Sequence, residues 1–357
     1  MDIFKDLKVI ELASVLAGPS VGMFFAELGA RVIKIENKTT GGDVTRRWKN
    51  DLEDTELPVS AYYSSVNFYK EVLFADLKNE ADRDTVLTEI ATADIVICNF
   101  KKGSAARLKM DYAHLKTIKS DLIYAQINGM SEGDDRPAFD VVLQAETGFI
   151  SMTGEKGGGY VKMPVALIDL LAAHQLKQAI LVALYNRERT GEGLYTEVSL
   201  YDSGLASLAN QASNYLMTGF IPKPMGTRHP NICPYGDVLK SMDGIDFVIA
   251  IGTEKQWQSV CDYLQLKNKL REMNNNDRVK NRSEVVSACR VSTSRISSEN
   301  LFDDFNKLKI PYGVIKNLKE VLDGKESESM IIEESQEGVV KRGLKSVAFR
   351  FFNKPQV

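Results

Sequence analysis

The chain begins with short apolar runs separated by helix-like patterns. Lys8–Ala13 (KVIELA) and Arg31–Glu36 (RVIKIE) have the dense apolar texture of strands buried on both faces. Between them Pro19 suits a first helical turn, Val21–Leu28 continues the helix, and Gly29 stops it. The rhythm recurs with a strand at Val72–Leu77, a helix at Ala81–Ala91, and strands at Asp94–Phe100 (DIVICNF) and Leu122–Ile127 (LIYAQI). Strands alternating with helices predict right-handed βαβ units. The expected fold is therefore α/β, with a Rossmann-like large domain on a mostly parallel sheet.

Leu170–Arg189 predicts a long helix that ends at Thr190-Gly191-Glu192-Gly193. A strand at Tyr195–Leu200 and a further helix at Tyr201–Met217 follow. Beyond Gly219 the texture changes: Pro222, Pro224, Pro230 and Pro234 crowd one segment, which suits a loop. Val238–Ser241, the turn Met242-Asp243-Gly244 and Ile245–Ile251 make a hairpin pattern, and short helices complete a smaller α+β unit. The acidic stretch Glu326–Glu337 reads as a solvated face or linker. The expected division is a large domain at 1–200 rejoined by 326–357, a linker helix and loop at 201–224, and a small α+β domain at 225–325.

Composition narrows the function classes. The 357 residues are 44% hydrophobic and 26% charged, and Lys plus Arg (45) nearly balances Asp plus Glu (48). A net charge of −3 gives no global attraction to nucleic acid. Cys98, Cys233, Cys261 and Cys289 are scattered without C-x-x-C spacing, and His114, His174 and His229 are the only histidines. Reduced thiols and no metal site are expected. The N-terminus (MDIFKDLKVIELA) mixes acids and lysines and has no separate apolar leader segment. The longest apolar stretch, Met163–Tyr185, is interrupted by Asp169, His174 and Lys177, which disfavours a membrane span. A cytoplasmic protein without nucleic-acid or membrane partners is expected.

Candidate chemistry is sparse. The first βα turn, Ala17-Gly18-Pro19-Ser20-Val21-Gly22, is not G-x-G-x-x-G, so dinucleotide binding is poorly supported although Glu36 ends the second strand. A helix N-terminus there still offers N–H groups to an anion. No G-x-S-x-G occurs, and His174 lies five residues after Asp169, off its helix face, which argues against a Ser-His-Asp hydrolase. Asp169 stands in MPVALIDLLAAH, apolar on both sides, at a junction into a helix. It is either a helix N-cap or a carboxylate held in an apolar pocket as base or nucleophile. Basic residues, among them Lys34, Lys38, Arg46, Arg47, Lys78, Lys101 and Arg107, fall near strand ends. They are either scattered surface charge or a site for a phosphorylated ligand.

The residues Val9-Ile10-Glu11-Leu12, Val15-Leu16-Ala17-Gly18-Pro19 and Glu27 to Glu36 (ELGARVIKIE) closely resemble the opening of the class III CoA-transferases, the CaiB/BaiF-like family. The resemblance continues through Gly42 to Trp48, Ala93 to Phe100, Asp140 to Gly148, Arg187 to Gly193, His229 to Tyr235 and Ile310 to Gly313, in order along nearly the whole chain. It implies an enzyme that moves CoA from an acyl-CoA thioester to a small carboxylic acid, with CoA as substrate and no tightly bound cofactor. It also implies an interlocked homodimer. The family's nucleophilic aspartate falls on Asp169, which would form aspartyl anhydride and aspartyl-CoA intermediates.

By the same resemblance, CoA contacts fall on Val15, Leu16, Lys38, Ala75, Asp76, Leu77, Lys78, Asn99, Phe100, Lys101, Arg107, Phe139 and Asp140. Lys38 and Arg107 would meet phosphates, and Trp48 would line the acyl pocket. Departures are Asn37 in place of a frequent Arg, Leu16 in place of a polar residue, and an end at Val357 that is short of the usual C-terminal extension. That shortening implies a weaker dimer or a more open site. An α-methylacyl-CoA racemase shares the fold but places a histidine where Phe139 stands, and Phe139 cannot carry a proton. A CoA-binding protein without turnover is the other alternative.

Overall fold

The computed structural model describes residues 2–336 and 338–352. Six strands, β1 (Lys8–Leu12), β2 (Arg31–Glu36), β3 (Lys70–Phe74), β4 (Ile95–Cys98), β5 (Ile123–Asn128) and β6 (Tyr195–Ser199), form an all-parallel sheet in the order β3-β2-β1-β4-β5-β6. The side-chain period of two sends Val9, Val32 and Ile95 to one face and Ile10, Ile33 and Val96 to the other, each into its own apolar layer. Burial on both faces is why these strands read as nearly unbroken apolar runs. The strand order reverses between β1 and β4, the crevice where open α/β sheets take ligands.

The chain forms two compact units. The larger holds the described residues of Met1–Ser151, Val161–Pro222 and Ser329–Val357; the smaller is Met152–Tyr160 with Lys223–Glu328. Residues 201–222, read from sequence as a linker, thus fall within the larger unit. In the smaller unit β7 (Tyr235–Lys240), β8 (Asp246–Ala250) and β9 (Tyr312–Val314) make an antiparallel sheet around a core that includes Trp257, Phe247 and Phe305.

Three sequence expectations change. The helix expected over Tyr201–Met217 is two helices, Leu200–Ala206 and Ala209–Thr218, separated where Ala209 takes a left-handed φ of 47°. The strand expected to reach Leu77 ends at Phe74, because Asp76 turns the chain by accepting from the Lys78 amide (3.0 Å). Of the two readings of the acidic stretch the solvated face holds, with Glu326, Glu328 and Glu333 exposed, and the linker does not. Ile331–Gln336 (β10) pairs antiparallel with Val339–Leu344 (β11), Ile332 packs with Met23 and Phe68, and Glu333 and Glu334 pair with Arg342 and Lys341. Glu337 and residues 353–357 lie outside the described residues.

The long helix, Leu167–Thr190, closes on Gly191 in the left-handed region (φ 73°). By length and composition it could cross a bilayer, and its inner face (Ile168, Ala172, Leu176, Ile180, Ala183) lies in the core of the larger unit.

Beneath the sheet's carboxyl edge lies a buried ionic cluster. Lys34 Nζ donates to Glu11 Oε1 (2.8 Å) and the Ala13 carbonyl (2.8 Å) and pairs with Asp43 Oδ2 (3.1 Å). Lys70 Nζ stands 2.7 Å from Glu11 Oε2, at ion-pair distance without hydrogen-bond alignment, and donates to the Pro19 carbonyl (2.8 Å) and Asn67 (2.9 Å). Burial works to lower the Lys34 ammonium, but Glu11 and Asp43 outweigh it and hold it above its usual value. Burial and the Lys34 charge bring Lys70 down to about 8. Gly22 is required beside this cluster, since a Cβ there would collide with Glu11 Oε2. Replacing one partner of a buried pair strands the other charge. Glu11→Gln is expected to cost about 3–5 kcal/mol, read as a lower urea midpoint; an unchanged midpoint would show that the cluster does not stabilise the fold.

Candidate active site

The long helix begins three residues earlier than its apolar pattern suggests, and the reason lies elsewhere in the chain. Asp140 opens the helix Asp140–Glu146 and accepts the Ile168 amide through Oδ1 (2.7 Å) and the Gln144 Nε2 through Oδ2 (2.7 Å). Asp140 therefore supplies the carboxylate that a helix start needs for its unpaired amides. Gln144 also accepts from the Met163 amide (2.9 Å) and donates to the Val165 carbonyl (3.3 Å), which fixes the approach to the helix.

Asp169 is thereby released from capping. It sits inside the first turn, 7% exposed, and among the described residues no donor reaches its carboxylate. Burial first, and the Asp140 charge second, push its carboxyl up to about 7. The N-cap position belongs to Ala166, so the cap reading of Asp169 fails. His174 is exposed and not part of the cluster.

Tyr62 belongs to the same cluster. Burial, then the charges of Asp169, Asp140 and Asp43, push its phenol up to about 12. Its ring meets the half-exposed Trp48 edge-on, with centroids 5.1 Å apart. Asp43 connects this cluster to the sheet edge, where a cavity of about 480 Å³ opens over Leu12–Ser14, Lys34–Asn37, Gly42–Val44, Arg47, Ala75–Lys78, Phe100 and Leu108.

Of the residues the resemblance singled out, Ala75, Asp76, Leu77, Lys78 and Phe100 line this cavity, and Asp140 adjoins Asp169. Phe139, 55% exposed, stands just before the helix that Asp140 opens and makes no side-chain cap there. Val15 and Leu16 form the loop below: Val15 is held at φ 73°, its amide on Asp43 Oδ2 (3.1 Å). Asn99 accepts the Ser14 amide (3.2 Å) and donates to the Ser14 carbonyl (2.9 Å), so it braces that loop.

The expected phosphate contacts fare differently. Lys38 does not line the cavity; its Nζ pairs with Asp82 (2.6 Å). Arg107 and Lys101 are also absent from the lining, and Arg107 donates to Ser104 Oγ (2.8 Å). Asn37 accepts the Thr39 amide (2.9 Å) as the cap of a single turn.

A family model described as CoA-transferase family III matches residues 4–354. The chain belongs to that family, whose members move CoA, and it is a CoA-transferase. It is 34% identical over 354 residues to a succinate–glutarate CoA-transferase of Agrobacterium fabrum, spanning 96% of this chain and 88% of that one. It is 32% identical over 334 residues to a succinyl-CoA:mesaconate CoA-transferase of Haloarcula marismortui, spanning 90% and 83%. The crystal structure of a CaiB/BaiF family protein from Brucella suis superposes with a TM-score of 0.83 at 34% identity, over 98% of this chain and 93% of that one.

Two residues of this cluster, Gln144 and Tyr62, escaped the sequence reading: they act through contacts far along the chain, and no local signal marks them. Arg47 was visible as one of several basic residues near strand ends, and its place on the cavity wall is a tertiary fact.

A group whose folded value is raised contributes stability that is full below its unfolded value, near 3.9, and is lost as pH rises through about 7. Asp169→Asn is therefore expected to gain on wild type as pH rises from about 5 to about 8, by up to about 2.5 kcal/mol. Urea titrations at both pH values check this; a constant difference would mean that Asp169 is solvated.

Proposed function

We propose that this CoA-transferase exchanges CoA between carboxylic acids through Asp169. The observation that carries the reading is a carboxylate that is buried, free of donors and relieved of capping. Hydrogen bonds blunt an anionic nucleophile, and among the described residues no donor reaches Asp169.

The steps balance without water or a net proton. An Asp169 oxygen attacks the donor thioester carbonyl; the C–S bond breaks, leaving an acyl-aspartyl anhydride and CoA thiolate. The thiolate attacks the aspartyl carbonyl, giving aspartyl-CoA thioester and releasing the donor acid as carboxylate. The acceptor carboxylate attacks that thioester and expels the thiolate, which takes the acceptor acyl group and restores Asp169. Trp48 and Tyr62 would shelter the acyl group. The cavity at the sheet edge would hold the nucleotide end of CoA, through Ala75–Lys78 and Phe100.

The relatives' names, succinate–glutarate and succinyl-CoA:mesaconate CoA-transferase, make dicarboxylic acids the acceptor class we propose. An interlocked homodimer is part of the same proposal. Exposed apolar side chains along the larger unit's helices, Val182 (65%), Leu216 (79%) and Met217 (84%), support a covering partner.

Asp169→Ala is expected to abolish exchange between succinyl-CoA and dicarboxylic acids. Hydroxylamine with acyl-CoA is expected to leave a hydroxamate on the wild-type Asp169 peptide. Since the ionised form is the nucleophile, kcat/KM should climb through about pH 7 to a plateau. Turnover that survives in Asp169→Ala would sink the reading. Sedimentation should show a dimer at micromolar concentration, and a stable monomer would remove that part of the proposal.

A further inference from the structure

The larger unit's cavity is framed by charged side chains whose partners differ sharply. Lys34 is neutralised by Glu11 and Asp43 beneath it. Glu36 is consumed by Arg46, which binds it through Nε (2.6 Å) and Nη2 (2.9 Å), and by Tyr63 Oη (2.7 Å). Arg46 also stacks 4.1 Å over the Tyr63 ring, so this arginine is a structural clamp.

Its neighbour Arg47 is exposed, lines the cavity, and forms no ion pair among the described residues. A single bond from Nη1 to the Thr40 carbonyl (2.8 Å) anchors the guanidinium. Nη2 and Nε keep their donors free among the described residues. Lys78, on the turn after β3, lines the same cavity and likewise has no acidic partner among the described residues. With Asp43 paired to Lys34 and Glu36 to Arg46, Asp76 is the lining acid without a cationic partner among the described residues, so Arg47, Lys78 and Asp76 together leave one positive charge in excess.

We propose that Arg47 is the residue through which this enzyme grips a phosphate of its CoA substrate, with Lys78 contributing from a second wall of the cavity. This rests on the CoA-transferase reading above. An anchored planar guanidinium with unused donors on one edge matches phosphate geometry in a way a paired ammonium does not. Lys38, already bound to Asp82, would have to give up that pair before it could serve. The tandem arginines thus divide: Arg46 holds the fold and Arg47 meets the ligand.

The test is steady-state kinetics of Arg47→Ala and Arg47→Gln with succinyl-CoA and with the thioester of dephospho-CoA. KM for succinyl-CoA should rise on the order of tenfold, with kcat nearly unchanged and the thermal midpoint unmoved. The dependence of KM on salt should become shallower, because a charge contact is gone. If the penalty disappears with the dephospho thioester, the group gripped is the 3′-phosphate; if it persists, it is the diphosphate. Both results support Arg47 as a phosphate ligand. Unchanged KM and salt dependence in both variants would overturn the proposal. Direct titration of wild type with CoA separates the two levels: wild type that binds and turns over CoA thioesters while Arg47→Ala keeps its KM refutes only Arg47. Wild type that neither binds nor turns over refutes the reading beneath it.

Discussion

A helix start exposes amides that need an acceptor. In this chain the acceptor for the long helix is Asp140, twenty-eight residues before Ile168. The consequence is chemical as well as structural. Had Asp169 served as its own helix's cap, the N–H groups of the first turn would have lowered its carboxyl value and dulled the anion. With the amide taken by Asp140, Asp169 is left in an apolar setting beside a second negative charge. Both influences drive its carboxyl upward, to about 7. Gln144 makes the arrangement rigid, because its amide links Asp140 to the chain at Met163 and Val165.

A second constraint fixes the other end of the site. The loop after β1 carries Val15 in the left-handed region, which a β-branched side chain occupies only when its surroundings hold it there. Asp43 takes its amide, Asn99 grips Ser14 from both sides, and Lys34 holds the Ala13 carbonyl. These side chains arrive from β2, the loop beyond it and the end of β4. The sheet itself therefore sets the loop, and the buried charges that look costly are those that place it. Positive Lys34 also keeps Asp43 ionised: burial opposes this, but Lys34 and the Thr45 contacts bring its carboxyl below the usual range.

The adjacent arginines show how little residue type says about role. Arg46 and Arg47 have the same side chain and neighbouring positions, yet one is bound to Glu36 and Tyr63 and the other faces the cavity. The 44–47 turn rotates them apart, and only the placement of Glu36 at the end of β2 decides which becomes which. Lys38, to which the family resemblance gives a phosphate contact, likewise has its ammonium against Asp82.

The parallel sheet, its two apolar layers, the βαβ rhythm and the hairpin of the smaller unit were legible in the sequence. Apolar periodicity and turn residues act locally, so the chain carries their signal in its own order. Asp169 was legible as a residue with two possible lives, because an acid flanked by apolar positions at a helix start is unusual whichever it leads. What the chain order does not encode is who reaches whom: Asp140 to Ile168, Tyr62 to Asp169, Asp82 to Lys38, Ile332 to Phe68. Those pairings depend on distances between segments far apart in sequence. They alone decided that Asp169 is a buried, donor-free carboxylate and not a cap, and that an acidic tail segment is a strand.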